Sequence, residues 1–155
     1  MTGNIDAIAA VRADVAALHS ELVRYGLIVW TGGNVSGRVP GEDLFVIKPS
    51  GVSYDDLTPE NMILCDLDGN VVPGTPGSER APSSDTAAHA YVYRHMPHVG
   101  GVVHTHSTYA VARAARATAA TERMSSTCAF GLVIDSANSA RVVGRTAEAQ
   151  ASGSS

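Results

Sequence analysis

The chain has 155 residues and a formal net charge of −4, with 45% of its residues hydrophobic and 17% charged. That length and balance suit one soluble globular domain with a sizeable core and argue against disorder. No basic block offers a nucleic acid or an anionic membrane an electrostatic partner, and no stretch approaches the roughly 18 uninterrupted apolar residues of a membrane span.

No basic segment followed by an apolar one marks a secretory signal. Cys65 and Cys128 form neither a disulfide framework nor a Cys-based metal motif, so a reduced, cytoplasmic setting is expected. In chain order, "IDAIAAVRADVAALHSELVRYGL" spaces Ile5, Ile8, Val11, Val15, Leu18 and Leu22 by three and four. The spacing predicts an amphipathic helix, stopped near Gly26 by a left-handed cap. His19 reads as a surface position on it. "TGGNVSGRV" is a glycine-rich turn leading into a strand, and "DLFVIKPSG" is a strand ending in a Pro-Ser-Gly turn. "LTPENMILCDLDGNVV" begins with a helix-start signal at Thr58-Pro59-Glu60. It continues as two short strands joined at the hairpin dipeptide Asp68-Gly69. A Pro/Gly/Ser loop covers 73–82.

"SSDTAAHAYVYRHMP" predicts a helix with Ala88, Val92 and Met96 as its apolar stripe and Pro97 after its end. His89 and His95 read as surface or support residues, and His98 as a loop residue. "VGGVVHTH" is a strand, and "TYAVARAARATAA" has helical character. From about Ala114 the composition turns to Ala, Ser, Thr and Arg, with one apolar patch at "CAFGLVI". The expected division is a domain over 1–113 and a divergent, poorly ordered tail over 114–155. Interleaved strands and helices give an α/β or α+β class.

Two constellations carry chemistry. Period-2 geometry puts His104 and His106 on one face of a strand. Asp85 sits in the first turn of the preceding helix, where it either caps that helix or joins the two histidines. Two imidazoles and a carboxylate suit zinc or another borderline divalent ion. The second constellation is three small-residue turns: Gly32-Gly33-Asn34, Pro49-Ser50-Gly51 and Ser83-Ser84. Oriented amides, hydroxyls and a helix N-terminus favour an anion, and Lys48 adds a point charge. Together they suggest a metal beside a phosphate pocket.

The segments "TGGNVSGRV", "FVIKPSGVSYDDLTPENMILCDLDGNVV" and "PSSDTAAHAYVYRHMPHVGGVVHTHSTYA" resemble the class II aldolase/adducin family over roughly residues 5–113. Within it they are most similar to the L-ribulose-5-phosphate 4-epimerases, a sister group of the L-fuculose-phosphate aldolases. The resemblance implies a three-layer α/β/α sandwich around a largely antiparallel sheet, incomplete at the C-terminus, and a cytoplasmic homotetramer. It implies that Asp85, His104 and His106 bind the divalent metal. Ser50, Gly51, Ser83 and Ser84 would hold the phosphate of a phosphorylated ketose, with Gly33 and Asn34 beside them. Asp at position 85 tilts towards the epimerases, since the aldolases carry Glu there.

The implied chemistry is a metal-dependent, reversible retro-aldol reaction. An epimerase holds and turns the aldehyde fragment, and an aldolase releases it. The family also supplies a third histidine ligand, an acidic catalytic residue and a C-terminal tyrosine. Here no histidine follows His106 and no tyrosine follows Tyr109. Catalytic acid–base residues are therefore not assigned. A truncated or frame-disrupted epimerase, an aldolase of the fuculose-phosphate type, and a non-catalytic adducin-like module or inactive fragment stand as the readings.

Overall fold

The computed structural model describes residues 2–28, 32–105, 130–135 and 140–144. Helix α1 (Thr2–Arg24) leads into strands β1 (Asn34–Arg38), β2 (Leu44–Ile47) and β3 (Ile63–Asp66). Helix α2 (Thr86–His95) follows, then β4 (Val99–Thr105), β5 (Phe130–Asp135) and β6 (Ala140–Gly144). The six strands form one sheet in the order β3-β2-β1-β4-β5-β6, and every pairing is antiparallel. The helix expected from "TYAVARAARATAA" lies outside the described residues.

Strand alternation sorts the side chains into two cores. Val46, Leu64 and Val39 face α1 and pack on Val15 and Ala16, with Met62 completing the cluster. Phe45, Ile47, Ile63, Cys65 and Val102 face the other way, onto Ala90 and Tyr93 of α2. One helix therefore covers each face, and the chain is a three-layer α/β/α sandwich around an antiparallel sheet. Between α1 and β1 the approach is close: a Cβ on Gly37 would lie 3.0 Å from Val11 and 3.1 Å from Val15.

The sequence places the elements well and their buried faces less well. The buried face of α1 is Arg12, Val15, Ala16, His19 and Leu22, whereas Ile5 and Leu18 are exposed. His19 is not a surface residue; it is fully buried. Its Nδ1–H donates to Val15 O at 2.7 Å and its Nε2 accepts the Val35 N–H at 3.0 Å. With both nitrogens satisfied, the imidazole is buried without an orphaned polar atom. On α2 the buried face is Thr86, His89, Ala90 and Tyr93, so Ala88 faces solvent and the expected stripe is rotated. Gly26, at φ +63°, ends α1 as expected. The Thr58 signal becomes a single turn of 3-10 helix closed by a capping box with Asn61. Past Asp68-Gly69 the returning arm pairs only at the Cys65–Val71 bridge. No helix among the described residues is long and apolar enough to cross a membrane.

Candidate functional site

Asn34 opens β1 and lies directly across the ladder from His104 near the end of β4. Both belong to the alternating set that faces α2, because their strand neighbours Val35 and Val103 pack on the α1 side with Leu22. Asp85 stands at the N-cap position of α2, yet its side chain makes no cap hydrogen bond. Its Oδ2 accepts from Asn34 Nδ2 at 2.7 Å and from His104 Nδ1 at 2.7 Å. The carboxylate is turned to the two strands rather than to the helix amides. The hydrogen bond to His104 leads in holding the Asp85 carboxyl down at about 2, against the opposing effect of burial. An ionised carboxylate can only accept, so His104 donates to it through Nδ1.

The small-residue turns converge on the same place. The turn after β2 is tied to the lead-in of α2 by Ser83 N–H to Lys48 O at 3.0 Å, Ser50 N–H to Ala81 O at 2.9 Å and a Pro49–Pro82 bridge. Ser83 is buried and its Oγ receives Asn34 Nδ2 at 3.1 Å, while Ser50, Gly51 and Ser84 are exposed. Lys48 is buried, and desolvation lowers its pKa although Asp85 pulls the other way. Gly33, at φ +83°, brings its backbone so close to β4 that a Cβ would stand 3.0 Å from His104 O.

Asn34, Lys48, Ser83, Asp85 and His104 are therefore joined through contacts of one neighbourhood, with Gly33, Ser50, Gly51 and Ser84 on the turns around it. His106 lies outside the described residues. Asn34 Oδ1 is buried with no hydrogen-bond partner among the described residues. An orphaned oxygen beside a carboxylate and an imidazole suits a cation or a donor from a substrate. Two metal-donor side chains meet here, and no group of three or more occurs among the described residues. A carboxylate and an imidazole are donor types that fit a borderline divalent ion.

Behind the site runs a polar ladder that sequence reasoning missed. Asp85, His89 and Tyr93 recur every four residues along α2, and Asn34, Ser36 and Arg38 every two along β1. Four helical residues rise about 6 Å and two strand residues about 6.8 Å, so the two rows stay in step. Asn34 meets Asp85. Ser36 Oγ lies 2.7 Å from both His89 Nδ1 and Tyr93 OH. Arg38 donates to Tyr93 O and to Val99 O, its guanidinium 4.9 Å from the Tyr93 ring centre. Burial lowers His89 to about 4, keeping it neutral, and raises Tyr93. The available signal was the matched periods of four and two.

The sequence profile described as "Class II Aldolase and Adducin N-terminal domain" matches residues 13–152. The chain belongs to the class II aldolase and adducin family. One relative, named "Probable L-ribulose-5-phosphate 4-epimerase UlaF" in Mycoplasma pneumoniae, is 52% identical over 89 residues, 57% of this chain and 36% of that protein. A solved L-fuculose 1-phosphate aldolase is 31% identical with a TM-score of 0.61, covering 68% of this chain and 48% of its own. An aldolase II superfamily protein from Pseudomonas syringae is 25% identical with a TM-score of 0.61, covering 67% of this chain and 41% of its own. The chain thus spans less than half the length of these class II relatives. The profile match itself continues past residue 114, the segment that contributes β5 and β6.

Proposed function

We propose that the chain carries the metal and phosphate half-site of a sugar-phosphate 4-epimerase acting on a phosphorylated ketose of the L-ribulose 5-phosphate type. The observation that carries this reading is Asp85. A carboxylate placed to cap a helix is instead shared by Asn34 and His104, between three anion-favouring turns.

In this reading Asp85, His104 and His106 hold a divalent ion such as zinc. When bound, that ion supplies Lewis-acid stabilisation of the charge that develops on the ketose oxygens as the C3–C4 bond breaks. Asn34, fixed by Ser83 and Asp85 through its amide nitrogen, presents its oxygen to a donor on the substrate. The hydroxyls of Ser50 and Ser84 and the backbone at Gly51 receive the phosphate at the start of α2, whose dipole favours the anion. Lys48, desolvated and close enough to feel Asp85, adds positive charge from below. Gly33 lets the backbone pass close to His104 and so sets the floor of the pocket. Retaining the phosphate keeps the aldehyde fragment in place while it turns, which separates epimerisation from aldol cleavage.

The relative with 52% identity and aspartate at position 85 favour epimerase over aldolase. A cytoplasmic setting and assembly as a homotetramer belong to the same proposal. The test is zinc content of the full chain after chelation and reloading, against His104→Ala/His106→Ala, followed by assay on L-ribulose 5-phosphate and L-fuculose 1-phosphate. Stoichiometric zinc lost in the variant, with epimer interconversion and no released fragment, is the expected result. Zinc no higher than in the variant overturns the metal reading, and release of a three-carbon phosphate or glycolaldehyde-type fragment moves the assignment to aldolase.

A further inference from the structure

Tyr54 begins a short 3-10 turn, Tyr54–Asp56, three residues beyond Gly51. It is 9% exposed, and its hydroxyl lies 2.9 Å from Gly32 O and 2.6 Å from Gly33 O. The Lys48 ammonium stands 5.4 Å from its ring centre, and the buried His19 ring lies 5.8 Å away on α1. One side chain therefore touches the 32–34 turn and the residue that leads into the 49–51 turn, and it rests on the helix behind both.

A phenol has one proton to donate, and here two successive carbonyls share it. Burial raises the Tyr54 hydroxyl to about 12, so it remains a donor across the working pH range. Both peptides are trans. With Gly32 O turned to the phenol, the Gly33 N–H lies on the opposite edge of the same plane. Two adjacent carbonyls held at one point leave the Gly32-Gly33 pair, which has no side chains to restrict it, a single orientation. Asn34 follows directly, and its side chain reaches Ser83 and Asp85.

We propose that Tyr54 is a positioning residue for the anion pocket. Its hydroxyl locks the Gly32–Gly33 peptides and so aims Asn34, and its ring seats the Lys48 ammonium. The inference rests on the phosphate-pocket reading above, and Tyr54 itself touches no substrate. The hydroxyl and the ring have separate jobs, which makes them separable by substitution.

The experiment is an NMR titration of the full chain with inorganic phosphate, for the wild type, Tyr54→Phe and Tyr54→Leu, following the Gly33 amide, the Asn34 side-chain amide and the Lys48 ammonium. Tyr54→Phe is expected to weaken phosphate about tenfold, the size of one net hydrogen bond. It should shift Gly33 and Asn34 while leaving Lys48 in place and the remaining spectrum native. Tyr54→Leu should also move the Lys48 signal, through loss of the ring. Tyr54→Phe with wild-type phosphate affinity and unmoved Asn34 signals overturns the proposal. Should the wild type bind no phosphate, the anion-pocket reading fails by itself, and the Asn34 response to Tyr54→Phe still decides whether the hydroxyl positions that side chain.

Discussion

Ser36→Ala is the sharpest probe of the ladder that holds α2 against β1. Ser36 Oγ is 1% exposed as a residue and serves His89 Nδ1 and Tyr93 OH at 2.7 Å each. Removing it strands the buried His89 Nδ1 and takes one of two partners from the Tyr93 hydroxyl, which also bonds the Val102 backbone. At about 1–3 kcal/mol for the stranded imidazole nitrogen and about 1 kcal/mol for the bond the phenol loses, the variant loses on the order of 2–4 kcal/mol. At about 2–4 °C for each kcal/mol in a chain of this size, Tm falls on the order of 10 °C. The assay is urea unfolding of Ser36→Ala, Tyr93→Phe and the double variant, read by circular dichroism.

Tyr93→Phe removes the hydroxyl that Ser36→Ala deprives of one partner. The double variant should therefore be more stable than the sum of the two single losses, by about 1–2 kcal/mol. The site reports the same event, since Asp85 is the next rung of the ladder: the His104 ring signals should broaden in Ser36→Ala. Single losses that add within about 0.5 kcal/mol, or a Ser36→Ala that unfolds like the wild type, would refute the shared hydrogen-bond account.

His19 predicts a pH dependence. Its folded value is lowered to about 4 by burial, against about 6.5 in the unfolded chain. The unfolded state binds the extra proton first, so this contribution is whole above pH 6.5 and is lost as pH falls from there through 4. The full loss approaches about 3 kcal/mol. His19→Gln should flatten that limb of a pH–Tm curve, and an unchanged limb would remove His19 as its source. Gly26 and Gly33 both have positive φ, yet a Cβ meets nothing within 4 Å at Gly26 and His104 O at 3.0 Å at Gly33. Gly26→Ala should cost only the left-handed backbone penalty of about 1 kcal/mol, with Gly33→Ala costing more and also disturbing His104. Equal Tm losses would contradict the close approach. Asp85→Ala should leave the helical circular dichroism signal intact, because no cap is lost, while the zinc content of the reloaded chain falls towards that of His104→Ala/His106→Ala. Fraying of α2 in hydrogen exchange would return Asp85 to the role of a cap.

Legibility in the sequence followed the kind of residue involved. Apolar alternation at "LFVI", "ILC" and "VVHT" exposes both strand faces, and the Gly26 stop is visible from glycine alone. The three turns and Asp85 were legible because small residues and a carboxylate near helix starts and strand ends have few uses. His19, Ser36, His89 and Tyr93 were not, because polar side chains in helices and strands read as solvent-facing. Their burial depends on partners far along the chain: His19 on Val35, Ser36 on His89 and Tyr93. Arg12 hid the α1 face in the same way. It is buried because its guanidinium is spent on the carbonyls of Pro59, Met62 and Pro76. A hydrophobic count rotates the stripe on both helices, since each buries polar groups on its core side.

The two readings of Asp85 were separable only through Ser83. A capping aspartate takes extended backbone angles and aims an oxygen at the amides one turn ahead. Asp85 has φ −86° and ψ 0°, and its Oδ2 is occupied by Asn34 and His104. The start of α2 is closed from two residues upstream instead. Ser83 O receives the Thr86 N–H at 3.0 Å and the Thr86 hydroxyl at 2.6 Å, and Ser83 Oγ receives the Asp85 N–H at 3.4 Å. That relieves the carboxylate of any duty to the helix while leaving it at the positive end of the helix dipole, where its charge is favoured. Ser83 Oγ also takes Asn34 Nδ2, so one serine frees Asp85 and orients the residue that receives it. The serine closes the helix; the aspartate is left to Asn34 and His104.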